Sequence, residues 1–460
     1  MNKESDFAKK FTLKLKTHFD SIRTRIISRI LGDPLLKGIV IIGSGSAIAQ
    51  VLGIIFVPII TRIYPPEIYG TLAVFGSLLS LLIVGSSLKY ELTIPLPEKD
   101  DDAEYLLILC FLIVCIFTTI LFVILMVWGE YLAGIFHFEF IAPYYWLFCI
   151  GFFGISVYQI LTYWAIRSKD YATITQTRVT QSISGSVSKI ILGLLSFGSF
   201  GLICGEIIGR MVGIGTLGRT VLPKIWRSIH DLDFHKVRSL AHRYRKFPTF
   251  SLPAGFINEL SLQAPTLLLS TIFGYEIVGL FSLSYSMLVL PISLISNSIA
   301  QVYFGEISEL FRHKSDKILT LYLETTKKLF MFGAPIILIG AFISPILFPM
   351  IFGSAWKEAG IFTLPLSILV ISNFVVSSTD RLELYGYNHW ELYWNISRTL
   401  MVFFGFYIAY VFTLSPVLTI LLYSSIMTIM YAICYLLNIK AIKLILKNKG
   451  EHMHMNEKTS

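Results

Sequence analysis

Charge is what this sequence uses most sparingly. Only 15% of its residues are Asp, Glu, Lys or Arg, against roughly 25% in soluble domains. A soluble enzyme of 460 residues could not cover itself with so little. Cysteine is also scarce. The five, Cys110, Cys115, Cys149, Cys204 and Cys434, lie in or beside apolar runs and no pair has zinc-finger spacing. They read as small buried hydrophobes rather than a disulfide framework. The motifs of common enzyme chemistry are missing too. There is no Walker A glycine loop, no His-Glu-x-x-His and no Gly-x-Ser-x-Gly, which leaves ATP hydrolysis, zinc proteolysis and serine hydrolysis without an anchor. The nine histidines are scattered without metal-ligand spacing, so neither a metal nor a cofactor is expected. The first 30 residues contain no continuous apolar core and no Ala-x-Ala site, so no cleaved signal peptide is expected.

Apolar sequence fills the rest: 55% of residues are hydrophobic and mean hydropathy is +0.70. Stretches of about 20 apolar residues, long enough to cross ~30 Å of hydrocarbon as helices, recur roughly twelve times. We place them at 36–60, 70–89, 104–128, 143–165, 178–197, 200–218, 249–272, 278–300, 328–350, 360–379, 396–413 and 416–438. The fold class expected is all-α, a polytopic membrane protein of about 12 transmembrane helices. Phe 35, Tyr 23 and Trp 7 suit lipid-facing, packing and interfacial positions.

Charge placement orients the chain. Residues 1–37 carry nine Lys or Arg, residues 210–246 nine more, and the tail adds Lys440, Lys443, Lys447 and Lys449. The loops of opposite parity are nearly bare. Basic loops stay cytoplasmic, so the net charge of +9 belongs to membrane edges rather than to nucleic-acid binding, and both termini are expected inside. Residues 8–30 space Phe11, Phe19, Ile22, Ile26 and Ile30 among Lys and Arg. That is an interfacial amphipathic helix drawn to anionic lipids, or a plain basic segment. The expected organisation is a cytoplasmic basic segment 1–35, a six-helix lobe 36–218, a cytoplasmic linker 219–248, a second six-helix lobe 249–438 and a tail 439–460. Within the linker Leu222, Ile225, Ile229 and Leu232 recur at helical steps.

The lobes share a repeat. Tyr64-Pro65-Pro66-Glu67-Ile68-Tyr69-Gly70 and Phe273-Gly274-Tyr275-Glu276-Ile277-Val278-Gly279 match as aromatic-x-x-Glu-Ile-x-Gly, in the same loop of each half, 209 residues apart. Six spans between them make the repeats parallel, an arrangement of secondary transporters. Pro65 and Gly70 punctuate the turn. Glu67 and Glu276 suit the starts of the following helices or, alternatively, contact a cation or substrate.

Charges inside spans cost several kcal/mol unless they snorkel, pair or face water. Lys89, Arg178, Arg210 and Arg398 lie near span ends and can reach headgroups. Lys189 and Glu259 lie deeper and are read as lining a polar cavity. Glu206 and Arg210 are four residues apart and can pair. The fifth span is rich in Ser, Thr and Gln, which suits a watery face or tight helix packing. Buried cations imply an anionic cargo, with arginine and lysine suited to phosphate, while Glu259 or Glu206 could carry the coupling ion.

Three segments resemble a known family: Gly43–Ser46 through Ile60–Gly70, then Tyr90-Glu91-Leu92-Thr93-Ile94-Pro95-Leu96-Pro97 with the acidic run Asp100 to Glu104, and Ile299–Phe304 with Glu306. Over about residues 34–440 the chain resembles the bacterial polysaccharide-biosynthesis membrane proteins. These are the O-antigen or lipid-linked oligosaccharide flippases of the multidrug/oligosaccharidyl-lipid/polysaccharide exporter superfamily. The resemblance implies two parallel six-helix lobes forming a V-shaped alternating-access transporter in the bacterial cytoplasmic (inner) membrane. It implies translocation of an undecaprenyl-diphosphate-linked oligosaccharide, coupled to H+ or Na+, alongside a polysaccharide polymerase and chain-length regulator. Lys189, Arg178, Arg62, Lys89, Arg210 and Arg398 become candidates for diphosphate or cavity contact, with Glu259 and Glu206 for ion coupling. A cation-coupled drug exporter of the same superfamily, an unrelated twelve-span carrier and a non-transporting scaffold of a polysaccharide assembly complex are the competing readings.

Overall fold

The structure, a computed structural model, describes residues 34–136, 144–230, 233–312 and 317–459. The amphipathic stretch 8–30 and Leu232 lie outside the described residues. Helices and turns account for all regular structure among the described residues, as expected where a chain must satisfy its own backbone in hydrocarbon.

Helix α1 (Pro34–Ile63) leads through two residues into α2 (Pro66–Ile83). Pro66 opens α2 where a missing N–H costs nothing, and exposed Glu67 stands in the first turn. Helix α3 (Asp100–Phe136) begins with Asp100, Asp101 and Asp102. Next come α4 (Tyr145–Arg167) and α5 (Tyr171–Leu194), the latter capped by Asp170 accepting from the Thr173 N–H. The polar linker holds α7 (Ile214–His230) and α8 (Phe234–Arg243), after α6 (Gly198–Met211). The second half comprises α9 (Leu252–Arg312), α10 (Ile318–Phe352), α11 (Lys357–Ser377), α12 (Asn388–Val411) and α13 (Pro416–Thr459).

Helix overlies every apolar stretch read from the sequence, with two differences. The sixth stretch, 200–218, is broken: α6 stops at Met211, Gly213 turns the chain at φ 108, and α7 starts at Ile214. Helix α2 ends at Ile83 rather than at 89. The chain then passes through Leu88 and Lys89 in left-handed backbone to a short 3₁₀ turn, Tyr90–Thr93. As the separate stretches 249–272 and 278–300 lead one to expect, α9 is two helices, joined at Gly274, whose φ of 81 with ψ −179 only glycine adopts readily. Among the described residues nine helical stretches are long and apolar enough to cross a bilayer. The interrupted α9 lies within one of these, while polar α5 and α12 are outside the nine. The linker is helical in its described part; among its described side chains Val221, Val237 and Leu240 are buried and Leu222 is exposed, while the side chains of Ile225 and Ile229 lie outside the described ones.

The segment after α2 explains the Tyr90–Pro97 motif. Glu91 is 1% exposed. The Ser87 hydroxyl and the Gln159 amide donate to its carboxylate, the latter at 3.3 Å, and Lys89 Nζ lies 3.9 Å away. Burial pushes the Glu91 carboxyl up, against the opposing pull of Ser87 and Lys89. The Tyr90 hydroxyl donates to the Ala241 carbonyl at 3.0 Å and so ties this turn to α8. Arg167 donates to the carbonyls of Ile94 and Pro97, at 3.3 and 2.7 Å, and to Asp100 at 2.8 Å. Glu91→Ala strands the buried Ser87 hydroxyl and the half-buried Gln159 amide, which costs about 1–3 kcal/mol. We expect a lower thermal unfolding midpoint in detergent, and an unchanged midpoint would show that the knot is not structural.

The two repeats meet at the seam between the halves. A Cβ on Gly70 would lie 1.8 Å from the Tyr275 carbonyl oxygen, and one on Gly279 would lie 1.9 Å from the Pro66 carbonyl oxygen. Positions 66 and 275 are themselves equivalent, 209 residues apart, so the contact is reciprocal. Gly70 therefore serves close approach of α2 to α9 more than punctuation of a turn. Beside it, Arg62 donates to the Met350 and Ile351 carbonyls at 3.0 and 3.3 Å. The Trp356 indole donates to the Thr61 carbonyl at 2.9 Å, and the Tyr69 ring meets Trp356 edge-on. This end of the seam is shut by main-chain and aromatic contacts between the halves.

Candidate functional site

Helix α5 owes its position to small residues. A Cβ on Gly209 would lie 2.6 Å from the Gly185 Cα, and one on Gly205 would lie 2.6 Å from the Lys189 Cγ, so α5 and α6 approach closely there. The repeat motif adds a strut, with the buried Tyr64 hydroxyl donating to the Lys189 carbonyl at 2.8 Å. Both readings of the polar fifth span therefore hold: one face packs on α6 and another meets a cavity.

Lys189 Nζ and Arg210 Nε each lie 2.5 Å from the Glu206 carboxylate, one on each oxygen. The side chains of Lys189, Glu206 and Arg210 are 16%, 22% and 43% exposed, so the cluster is partly sheltered from solvent. Its formal charge is +1. All three residues line a cavity of about 550 Å³ between the halves, and all three also line an adjoining cavity of about 530 Å³. The second cavity reaches Arg178, which donates to the Ser46 hydroxyl, as well as Gln50, Gln181 and Ser182. The charge cluster thus stands where two chambers meet. A third cleft of about 550 Å³ is walled by Leu78, Leu81, Leu125, Leu260, Leu267 and Phe403. It uses other faces of α2 and α9 than those lining the polar chamber.

The remaining sequence candidates are placed elsewhere. Arg62 seals the shut end of the seam. Lys89 pairs with Glu91 and packs beside Gly255. Arg398 does not snorkel: it is 4% exposed, stacks over Trp394 at 4.6 Å and donates to Asn258 at 2.8 Å. Glu259 accepts from Gln263 at 2.7 Å, and it is Gln263 that lines the larger cavity. Among the described residues no group of three His, Cys, Asp or Glu could hold a metal ion.

Sequence reading missed the cavity wall contributed by the second half. Tyr285, Tyr423 and Tyr431 line the larger chamber together with Gln263 and Thr266. Nothing in their spacing marks them among 23 tyrosines. They converge only because α9 and α13 cross the same space.

A family model described as "Polysaccharide biosynthesis protein" matches residues 59–360. The chain is 23% identical over 224 residues to the amylovoran biosynthesis protein AmsL of Erwinia amylovora, covering 47% of this chain and 51% of that one. It is 22% identical over 267 residues to the teichuronic acid biosynthesis protein TuaB of Bacillus subtilis (strain 168), covering 57% and 53%. The chain spans about half the length of the curated relatives it matches. Among solved structures, the lipid II flippase MurJ in its inward closed conformation superposes with a TM-score of 0.67 at 13% identity, covering 92% of this chain and 93% of that one. An inward-facing multidrug resistance MATE family transporter of the MOP superfamily superposes with a TM-score of 0.64 at 15% identity, covering 86% and 96%. The fold is a membrane transporter's, and the family model spans well over half of the sequence: the chain belongs to the polysaccharide biosynthesis protein family, with the fold shared by MATE transporters and MurJ.

Proposed function

We propose that this protein moves an undecaprenyl-diphosphate-linked oligosaccharide from the inner to the outer leaflet of the bacterial cytoplasmic membrane. In this reading twelve crossings form two six-helix lobes with both termini cytoplasmic. Nine apolar stretches, the break at Gly274 and the two polar helices α5 and α12 support the count. The observation that carries the reading is the Lys189–Glu206–Arg210 cluster standing between two chambers on the seam of the repeats. A cluster of formal charge +1 in a sheltered cavity suits a diphosphate, held bidentately by arginine and as a point charge by lysine. The prenyl tail would stay in lipid or along the apolar cleft. The family and the biosynthetic names of the two relatives support a glycan cargo.

Alternating access follows from the repeat. With both termini inside, the seam at residues 61–70, 275–279 and 350–356 faces outward, so the cavities in this state are sealed from outside. The similarity to an inward-facing MATE transporter and to inward closed MurJ favours the same assignment. Glu206 is the better candidate for ion coupling, since protonating it would free both cations for the cargo. The test is reconstitution into vesicles with a diphosphate-linked oligosaccharide, scored by its appearance in the opposite leaflet with and without a proton gradient. Protein-dependent appearance is expected. Its absence, with correctly inserted protein, would remove the flippase reading.

A further inference from the structure

The larger chamber has two chemically different walls. Every charged side chain lining it comes from the first half: Lys189, Glu206 and Arg210. The second half contributes none. It offers uncharged polar groups instead, chiefly Tyr285, Tyr423, Tyr431 and Gln263.

Those tyrosines are held by packing. Tyr285 stacks on Phe281 with ring centroids 6.0 Å apart and planes within 6°, and Tyr423 meets both Phe281 and Phe406. Tyr431 lies against Trp394 and accepts a hydrogen bond from the Asn373 amide at 2.5 Å. The Tyr285 and Tyr423 hydroxyls take no hydrogen-bond partner among the described residues, although both residues line the chamber. Gln263 spends an amide N–H on Glu259, which leaves its carbonyl oxygen free to accept. Rings fixed by neighbours at the chamber wall, with unspent hydroxyls, form a preorganised set of neutral donors and acceptors. A diphosphate gains little from such groups compared with arginine or lysine. A sugar, which carries several hydroxyls and no charge, gains most.

We propose that the wall from the second half is the glycan subsite, with Tyr285 and Tyr423 its specificity-determining contacts. The substrate headgroup is then polarised across the seam: diphosphate on Lys189 and Arg210, sugar on the tyrosines. This rests on the lipid-linked glycan reading above and adds an orientation to it. Each half holds a different chemical part of the cargo, so separating the lobes must release one part before the other.

The test uses two probes in detergent, undecaprenyl diphosphate without sugar and the lipid-linked oligosaccharides extracted from the source cells. The double variant Tyr285→Phe, Tyr423→Phe removes two oxygens and leaves the ring packing intact. Two lost hydrogen bonds predict about a tenfold weaker affinity for the oligosaccharide lipid, and less than a twofold change for the sugar-free lipid. Lys189→Ala should weaken both probes. Equal losses on both probes in the tyrosine variant, or none on either, would overturn the proposal. A wild-type protein that binds the sugar-free lipid as tightly as the glycosylated one would also overturn it, while leaving diphosphate recognition standing. Failure of the wild type to bind either probe would refute the underlying reading and this subsite together.

Discussion

Gly70→Leu is expected to abolish transport and to hold the sealed end of the seam apart. The obstacle to any side chain there is main chain: the Tyr275 carbonyl oxygen, 1.8 Å from where the Cβ would stand. Non-bonded atoms settle near 3.5 Å, so α2 and α9 must separate by about 2 Å even for the first carbon, and by more for the remainder of leucine. No rotamer relieves a clash with backbone. The separation would also strain the Arg62 and Trp356 hydrogen bonds that cross the same seam. Two readouts check it. Vesicle transport should fall to background. Spin labels replacing exposed Glu67 and Glu276, in a cysteine-free background, should show a longer distance than in the parent. Because the contact is reciprocal, Gly279→Leu should do the same, and the two changes together should cost little more than either alone. Unchanged distances in both single variants would mean that the close approach of the repeats does not keep this end shut.

Lys189→Ala is expected to cut transport at least tenfold while membrane abundance stays near normal. Removing the amine leaves Arg210 and Glu206 as a neutral pair, so the meeting point of the two chambers loses its net positive charge. The amine lies in the cavity rather than in the hydrophobic core, which is why folding should survive. Glu206→Gln should act differently. It leaves two cations close together with only a neutral amide between them and strengthens the field on an anion. Tighter binding of a diphosphate with slower release is expected, seen as raised affinity with reduced turnover. Normal turnover in Lys189→Ala would take this residue out of the site. Wild-type turnover together with wild-type affinity in Glu206→Gln would do the same for the carboxylate.

The helices were legible because hydrocarbon leaves a chain few choices: long apolar runs with charges only in the gaps become helices. The break at Gly274 falls in the gap left between the stretches 249–272 and 278–300, whereas the early end of α2 was masked because residues 84–88, Val-Gly-Ser-Ser-Leu, carry no charge to mark it. Of the charged candidates, Lys189, Glu206 and Arg210 converge on one cavity, with Arg178 in the adjoining one. Desolvation cost alone flagged them, since groups so expensive to bury need water or a partner. The same cost flagged Lys89 and Arg398, while Arg62 came from the family resemblance. Neither signal could say that these find Glu91, Asn258 and carbonyls respectively, because partners distant in sequence are set by packing. The neutral tyrosine wall left no trace at all. Tyrosine in a membrane protein is common, and its role depends on which way a ring turns.

The mutual fit of Gly70 and Gly279 also bears on how this protein can vary over time. What holds the two halves in register at that crossing is an empty space on each side, not an adjustable side chain. Neither half can drift there and be rescued by a compensating change in the other, for the opposing surface is peptide carbonyl, which every amino acid shares. The shutter therefore has two settings, touching or apart, and adaptation to new cargo is pushed into the chamber walls, where substitutions leave the latch unaltered.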